Sequence, residues 1–173
     1  HNQPYKGFNW KCGQEASIRV LNCICALLIL DAEDKPSNAL KNFIEVHLDR
    51  IYPTIQYAKA QNNNHGISEA AALYVGSSLI SDNYKIKKYQ DLGRKLLEDR
   101  VKILIEDDGT FSQYSSNYHR MAQDILSIVE IWRRRKNLKP FTNNFYSKAK
   151  KLAFWLHNLV NKDSGDVPNI GAN

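Results

Sequence analysis

The sequence predicts an all-α protein made of antiparallel helical hairpins, and three observations carry that expectation. Apolar residues recur at three- and four-residue steps along most of the chain, which puts them on one face of a helix. No segment alternates apolar and polar residues in the way of a half-buried strand. The periodic runs are separated by short breaks rich in Asp, Asn, Ser, Pro and Gly, as expected between neighbouring antiparallel helices. Residues 1–173 suit one helical domain, long enough to bury a real core.

Six helices follow in order. The first, Gln14 to Leu30, carries Ile18, Leu21, Ile24, Cys25 and Leu28 at helical spacing. Asp31 to Pro36 breaks it, and Pro36 with Ser37 starts the next helix. That second stretch runs to about Ala60, with Leu40, Phe43, Ile44, His47 and Ile51 on one face. Pro53 kinks or interrupts it, because proline lacks an N–H and clashes with the preceding turn. Ser68 is expected to cap the third helix, which passes through Leu73 and Tyr74 to Leu79 and Ile80. Its Ala70, Ala71, Ala72 and Gly76 are small enough to let another helix come close. The fourth spans about Tyr84 to Ile105, with Leu92, Leu96, Leu97 and Leu104 as its apolar stripe. A turn at Glu106-Asp107-Asp108-Gly109 and a loop from Phe111 to Ser116 lead to the fifth helix, about Asn117 to Lys136. Met121, Ile125, Ile128, Val129 and Trp132 point inward there, and Arg133 to Lys136 place cations at the helix C-terminus, where the dipole favours them. The sixth covers about Asn144 to Val160, with Ala149, Leu152, Leu156 and Leu159 on its stripe.

Composition narrows the function classes. The formal charge of +6 and a pI near 9.2 favour an anionic partner. The basic residues are spread over many helices and no nucleic-acid recognition motif is present, so no nucleic acid is expected. The apolar run from Ile18 to Leu30 is broken by Arg19 and Asn22 and is too short to cross a bilayer, so no membrane partner is expected. Cys12, Cys23 and Cys25 make an odd count with no closed disulfide framework. On a helix, Cys23 and Cys25 point to different sides, so neither a metal site nor a cofactor is expected.

Two polar clusters stand at the starts of apolar-periodic runs: Asn62-Asn63-Asn64-His65, and Ser115-Ser116-Asn117-Tyr118-His119. Helix pairs begin near residues 14, 68 and 117, giving steps of 54 and 49 residues, longer than the common short helical repeats. Hairpins of this length can close into an (α/α) toroid whose loops at one end form the mouth of a central cleft. The chain is expected to be part of such a toroid. Both clusters precede the first helix of a pair, so they open at the same end.

The Asn63-Asn64-His65-Gly66 segment with a following Glu, and Asp108-Gly109-Thr110-Phe111 followed by Ser115-Ser116-Asn117-Tyr118-His119, resemble the helical domain of the heparinase II/III family of polysaccharide lyases. Gly13-Gln14-Glu15 and Arg19 resemble the family's opening helix, and Val167-Pro168-Asn169-Ile170-Gly171-Ala172-Asn173 the segment that leaves the toroid. The resemblance implies β-elimination on an acidic, uronic-acid-containing polysaccharide such as a glycosaminoglycan, in the periplasm or outside the cell. It implies Asn64 and His65 as neutralisers of the substrate carboxylate and Tyr118 as general acid and base. It further implies that a C-terminal β-sandwich domain, absent from this chain, supplies another catalytic His or Tyr, and that the fragment alone is inactive or nearly so.

The chemistry fits those side chains. The proton at C5 of a uronate is weakly acidic while the carboxylate beside it is charged. An amide and an imidazole can neutralise that charge by hydrogen bonding, and a phenol can carry the proton. Gln14, Arg19, Glu69, Tyr114, His119 and Trp10 complete the expected substrate-binding set: Glu69 can orient His65 four residues earlier, and Trp10 and Tyr114, in loops, can stack on sugars. Each has a plainer alternative. The asparagines suit turns and caps, His65 a capping or packing role, Tyr118 the core rim, and Glu15 with Arg19 an ordinary helical ion pair. His119 lies about 100° from Tyr118 around a helix and packs away from the same site. A non-catalytic helical module binding carbohydrate or protein is the alternative function.

Overall fold

The computed structural model describes residues 3–80 and 83–171. The fold is all-α, with α1 (Gly13–Ile29), α2 (Asn38–Ile51), α3 (Ile55–Ala60), α4 (Asn64–Ser77), α5 (Tyr84–Leu104), α6 (Ser116–Arg135) and α7 (Asn143–Leu159). Short 3₁₀ turns cover Phe8–Trp10 and Tyr52–Thr54. The expected second helix is two helices, because Pro53 falls at the break and forces a 3₁₀ turn between α2 and α3. Successive helices pack as hairpins, α1 on α2, α4 on α5 and α6 on α7.

The third expected helix starts a turn earlier than the sequence suggests. Asn63 caps it by accepting from the His65 backbone N–H at 3.0 Å, and the Gln113 side chain accepts from the Asn64 N–H at 2.8 Å. Ser68 is not a cap: it lies wholly buried inside α4. Asn64 and His65 therefore stand in the first helical turn, not in a loop, and α4 fixes their directions. Asn63→Ala removes one of these two acceptors and is expected to cost about 1 kcal/mol, read as a lower thermal midpoint.

Helix α4 is the axis of the domain. It touches α1, α2, α3, α5 and α6. Every residue from Gly66 to Ser77 is buried, as befits a helix without a solvent face. Small residues make this possible. At Gly76 the side chains of Val20, Ile44 and Leu48 all stand 3.1 Å from where a Cβ would sit. At Gly93, α5 lies directly against the backbone of α4.

The end of α6 and the tail near Ile170 are tied down as well. The basic end of α6 is paired: Arg133 and Arg134 with Glu130, Arg135 with Asp31 and Glu33, and Lys136 with Asp34. The tail returns to the start of α6, where the Ile170 carbonyl accepts from the Ser116 N–H at 2.9 Å and its N–H donates to Ser116 Oγ at 3.0 Å. Ala172 and Asn173, the last two residues of the resembling tail, lie outside the described residues. No helix among the described residues is long and apolar enough to cross a membrane.

Candidate active site

Three helices converge where α4 begins. From α1, Gln14 Nε2 donates to Met121 Sδ at 3.4 Å. From α4, Asn64 Nδ2 donates to the same sulfur at 3.5 Å. Met121 belongs to α6, one turn beyond Tyr118 and about 60° from it around the axis. Tyr118 therefore stands on the face of α6 that carries Met121, half-buried against the core. Ser68 Oγ donates to Gln14 Oε1. Gln14 and Asn64 are both buried. Two amide donors thus share one thioether, a weak acceptor.

His65 and Glu69 form the second part of the site. His65 Nδ1 lies 3.7 Å from Glu69 Oε1, and the imidazole is 27% exposed against 4% for the carboxyl side chain. Glu69 Oε2 is buried without a hydrogen-bond partner. The carboxyl lies against Gly13 of α1, where any Cβ would fall 2.6 Å from Oε1. Burial pushes the Glu69 carboxyl up to about 7, opposed by the charge of Arg50, and burial lowers the His65 imidazole below its usual value. Both shifts favour the neutral forms. A protonated Glu69 turned toward Nδ1 leaves the His65 proton on Nε2, as a donor pointing away from the carboxyl.

The remaining expected site residues lie elsewhere. Arg19 is five residues from Gln14, about 140° around α1, and faces α2. It makes no ion pair with Glu15; its Nε donates to His47 Nε2 at 2.9 Å and its Nη2 to the Asn9 carbonyl at 2.7 Å. Trp10 is not an open loop ring. It is buried, with its ring 4.7 Å from His47 and 5.4 Å from Tyr5 by centroid. His119 is a packing residue. It is buried, its Nε2 meets the Leu152 carbonyl of α7 at 2.9 Å, and its ring stacks on Trp155 at 4.5 Å. Tyr114 is exposed as expected, in a left-handed turn with φ of 49°.

Several members of the site escape a linear reading. Met121 has the periodicity of a core residue and gives no chemical signal. Gln113 sits in a loop, and Arg50, which donates to the Trp10 and Lys11 carbonyls, brings the Trp10 segment close to Glu69. Gly13 carries the one usable hint, a glycine beside the first buried amide.

No family model and no curated protein matches the sequence. Among solved structures, the chain is similar to a heparinase III in a form with methylated lysines, with a TM-score of 0.62 and 16% identity over 88% of this chain. The likeness supports a distant relationship in fold. The chain spans 24% of that structure's length.

Proposed function

We propose that this domain is part of a polysaccharide lyase that cleaves an acidic, uronic-acid-containing polysaccharide by β-elimination. The observation that carries the reading is the convergence of the Gln14 and Asn64 amides on Met121, beside the His65–Glu69 pair and one turn from Tyr118. The heparinase III likeness in fold supports it.

In this reading Asn64 and His65 donate to the carboxylate of the uronate. Their hydrogen bonds draw charge from it and make the C5 proton more acidic. Tyr118, reacting as its phenolate, takes up that proton and hands it to the leaving glycosidic oxygen at C4. The C5–H electron pair becomes the C4–C5 double bond as the C4–O bond breaks. Glu69 holds the proton that keeps His65 in its Nε2–H form. The start of α4 adds the positive end of a helix dipole close to the developing anion. A β-sandwich domain following residue 173 would supply a further catalytic His or Tyr, and the protein would act in the periplasm or outside the cell.

The unsaturated uronate absorbs in the ultraviolet, so the test is spectroscopic. A longer polypeptide carrying the following domain is expected to raise absorbance with one or more of a panel of uronic-acid polymers, and residues 1–173 alone to stay near background. Tyr118→Phe is expected to lower the rate by a factor of about 100 or more. An undiminished Tyr118→Phe rate, or silence with every polymer, sinks the proposal. Retention of the polymers without absorbance would select the binding-module reading instead.

A further inference from the structure

A concavity of about 360 Å³ opens between the amino-terminal turn and α2, and its walls are Asn9, Trp10, Arg19, Phe43 and His47. Its chemistry is unlike that of the site at the start of α4. Three aromatic rings stand in a row, with Trp10 and His47 4.7 Å apart and His47 and Phe43 4.1 Å apart by centroid. Phe43 is 40% exposed and forms the open end of that row. One guanidinium stands over it, with Arg19 Cζ 5.5 Å from the centre of the Trp10 ring.

Arg19 is held in place by neutral groups. Its Nε donates to His47 Nε2 and its Nη2 to the Asn9 carbonyl. His47 is 1% exposed, and its Nδ1 lies 2.7 Å from the Phe43 carbonyl. An imidazole that accepts at Nε2 must carry its proton on Nδ1 and donate it to that carbonyl, so the ring is neutral. Burial, with the Arg19 charge, lowers its basicity and agrees with that assignment. Among the described residues no carboxylate pairs with Arg19, whereas Arg133, Arg134 and Arg135 of α6 are paired with acids. Of five guanidinium N–H groups, two are used, which leaves donors and a full positive charge beside an aromatic wall.

We propose that this concavity binds the carboxylate of a single uronic-acid residue, with Arg19 as the anion clamp and Phe43 as the surface for the sugar ring. A pre-oriented guanidinium gives a carboxylate a charge-assisted bond without first having to break an ion pair. Phe43 offers an apolar face to the C–H side of a pyranose. The volume suits one or two sugar rings and not an extended helix or strand. Because Gln14 and Arg19 lie on different faces of α1, the pocket is separate from the site of elimination. It would hold another residue of the same chain or of a second chain. The choice of a uronate rests on the proposed substrate, whereas the pocket itself does not need the lyase reading.

The test is a chemical-shift titration of the isotopically labelled chain with sodium glucuronate, glucose, sodium sulfate and adenosine monophosphate. Saturable shifts from glucuronate are expected at residues 9, 10, 19, 43 and 47, with none from glucose. Arg19→Gln is expected to weaken binding at least tenfold. Phe43→Ala, at a half-exposed ring that can be lost without disturbing the fold, is expected to weaken it at least threefold. Unchanged glucuronate binding in both variants overturns the proposal, as does the absence of any shift at these residues. Sulfate or the nucleotide binding as tightly as glucuronate also overturns it, since the sugar would then contribute nothing. Elimination is not measured here, so a lyase assay that fails leaves this result standing, and a titration that fails leaves the lyase assay standing.

Discussion

Gly93→Ala is expected to lower stability by about 3 kcal/mol, a fall in Tm of roughly 10 °C for a chain of this size. Glycine inside a helix is ordinarily a defect, and alanine in an exposed position would gain up to about 1 kcal/mol. Here the added carbon would fall 2.6 Å from the Tyr74 nitrogen and 2.8 Å from the Ala70 carbonyl oxygen. Both are backbone atoms of a helix buried on all sides, so neither can turn aside as a flexible side chain would. The helices must separate, and the side chains around Leu73 and Leu97 lose their close packing with them. Chemical and thermal unfolding of Gly93→Ala beside Lys95→Ala, an exposed position on the same helix, separates the packing effect from propensity. Equal stability of the two variants would refute the close approach of α4 and α5.

The second large effect concerns Glu69. Its carboxyl titrates near its ordinary 4.5 in the unfolded chain and at about 7 in the fold. The folded state therefore binds the proton more tightly, and the stability this gives is fully present below about pH 4.5. It is lost as pH rises through about 7, because the unfolded chain then releases a proton that the fold retains. At about 1.4 kcal/mol per pH unit, the loss across that window is about 3 kcal/mol. Glu69→Gln cannot ionise. It is expected to match the wild type near pH 4 and to be more stable near pH 8, by an amount approaching that figure. His47 and His119, which are buried, and half-buried His65 have lowered basicity and act in the opposite direction, losing stability as pH falls. Taking the difference between the two proteins at each pH removes their contribution. A constant difference from pH 4 to pH 8 would show that Glu69 is not buried as a neutral acid. Under the proposed mechanism the variant keeps the His65 tautomer, since the Gln amide N–H can donate to Nδ1 in place of the carboxyl O–H.

The helices were legible because burial imposes a period. Six of the expected stretches correspond to helices, and Pro53 marked its own break. The start of α4 was misjudged because Ser68 has the residue type of a cap, whereas Asn63 and the distant Gln113 serve that end. That α4 is surrounded was not legible either: its alanines and glycines announce close approach but not from how many sides. Asn64 is joined to Gln113 and to Met121, on either side of the second polar cluster, and the four-residue spacing of His65 and Glu69 matches their contact. The links that join Gln14 to Ser68, Asn64 to Met121 and Arg19 to His47 span 28 to 57 residues. Nothing in local pattern encodes such pairings. Trp10 was misplaced for the same reason, since the surface that covers it comes from α2, whereas His119, read as packing away from Tyr118, does pack against α7.

The thioether of Met121, the chain's single methionine, deserves to be weighed against what it replaces. Two buried amide groups give their hydrogens to a sulfur that returns little for them. Among the described residues neither amide nitrogen has a stronger acceptor. An incoming oxygen anion would have no competing carboxylate to displace from these amides. It would exchange with a soft, polarisable atom on a flexible side chain that can swing aside. The domain therefore holds hydrogen-bonding capacity in reserve at the start of its central helix.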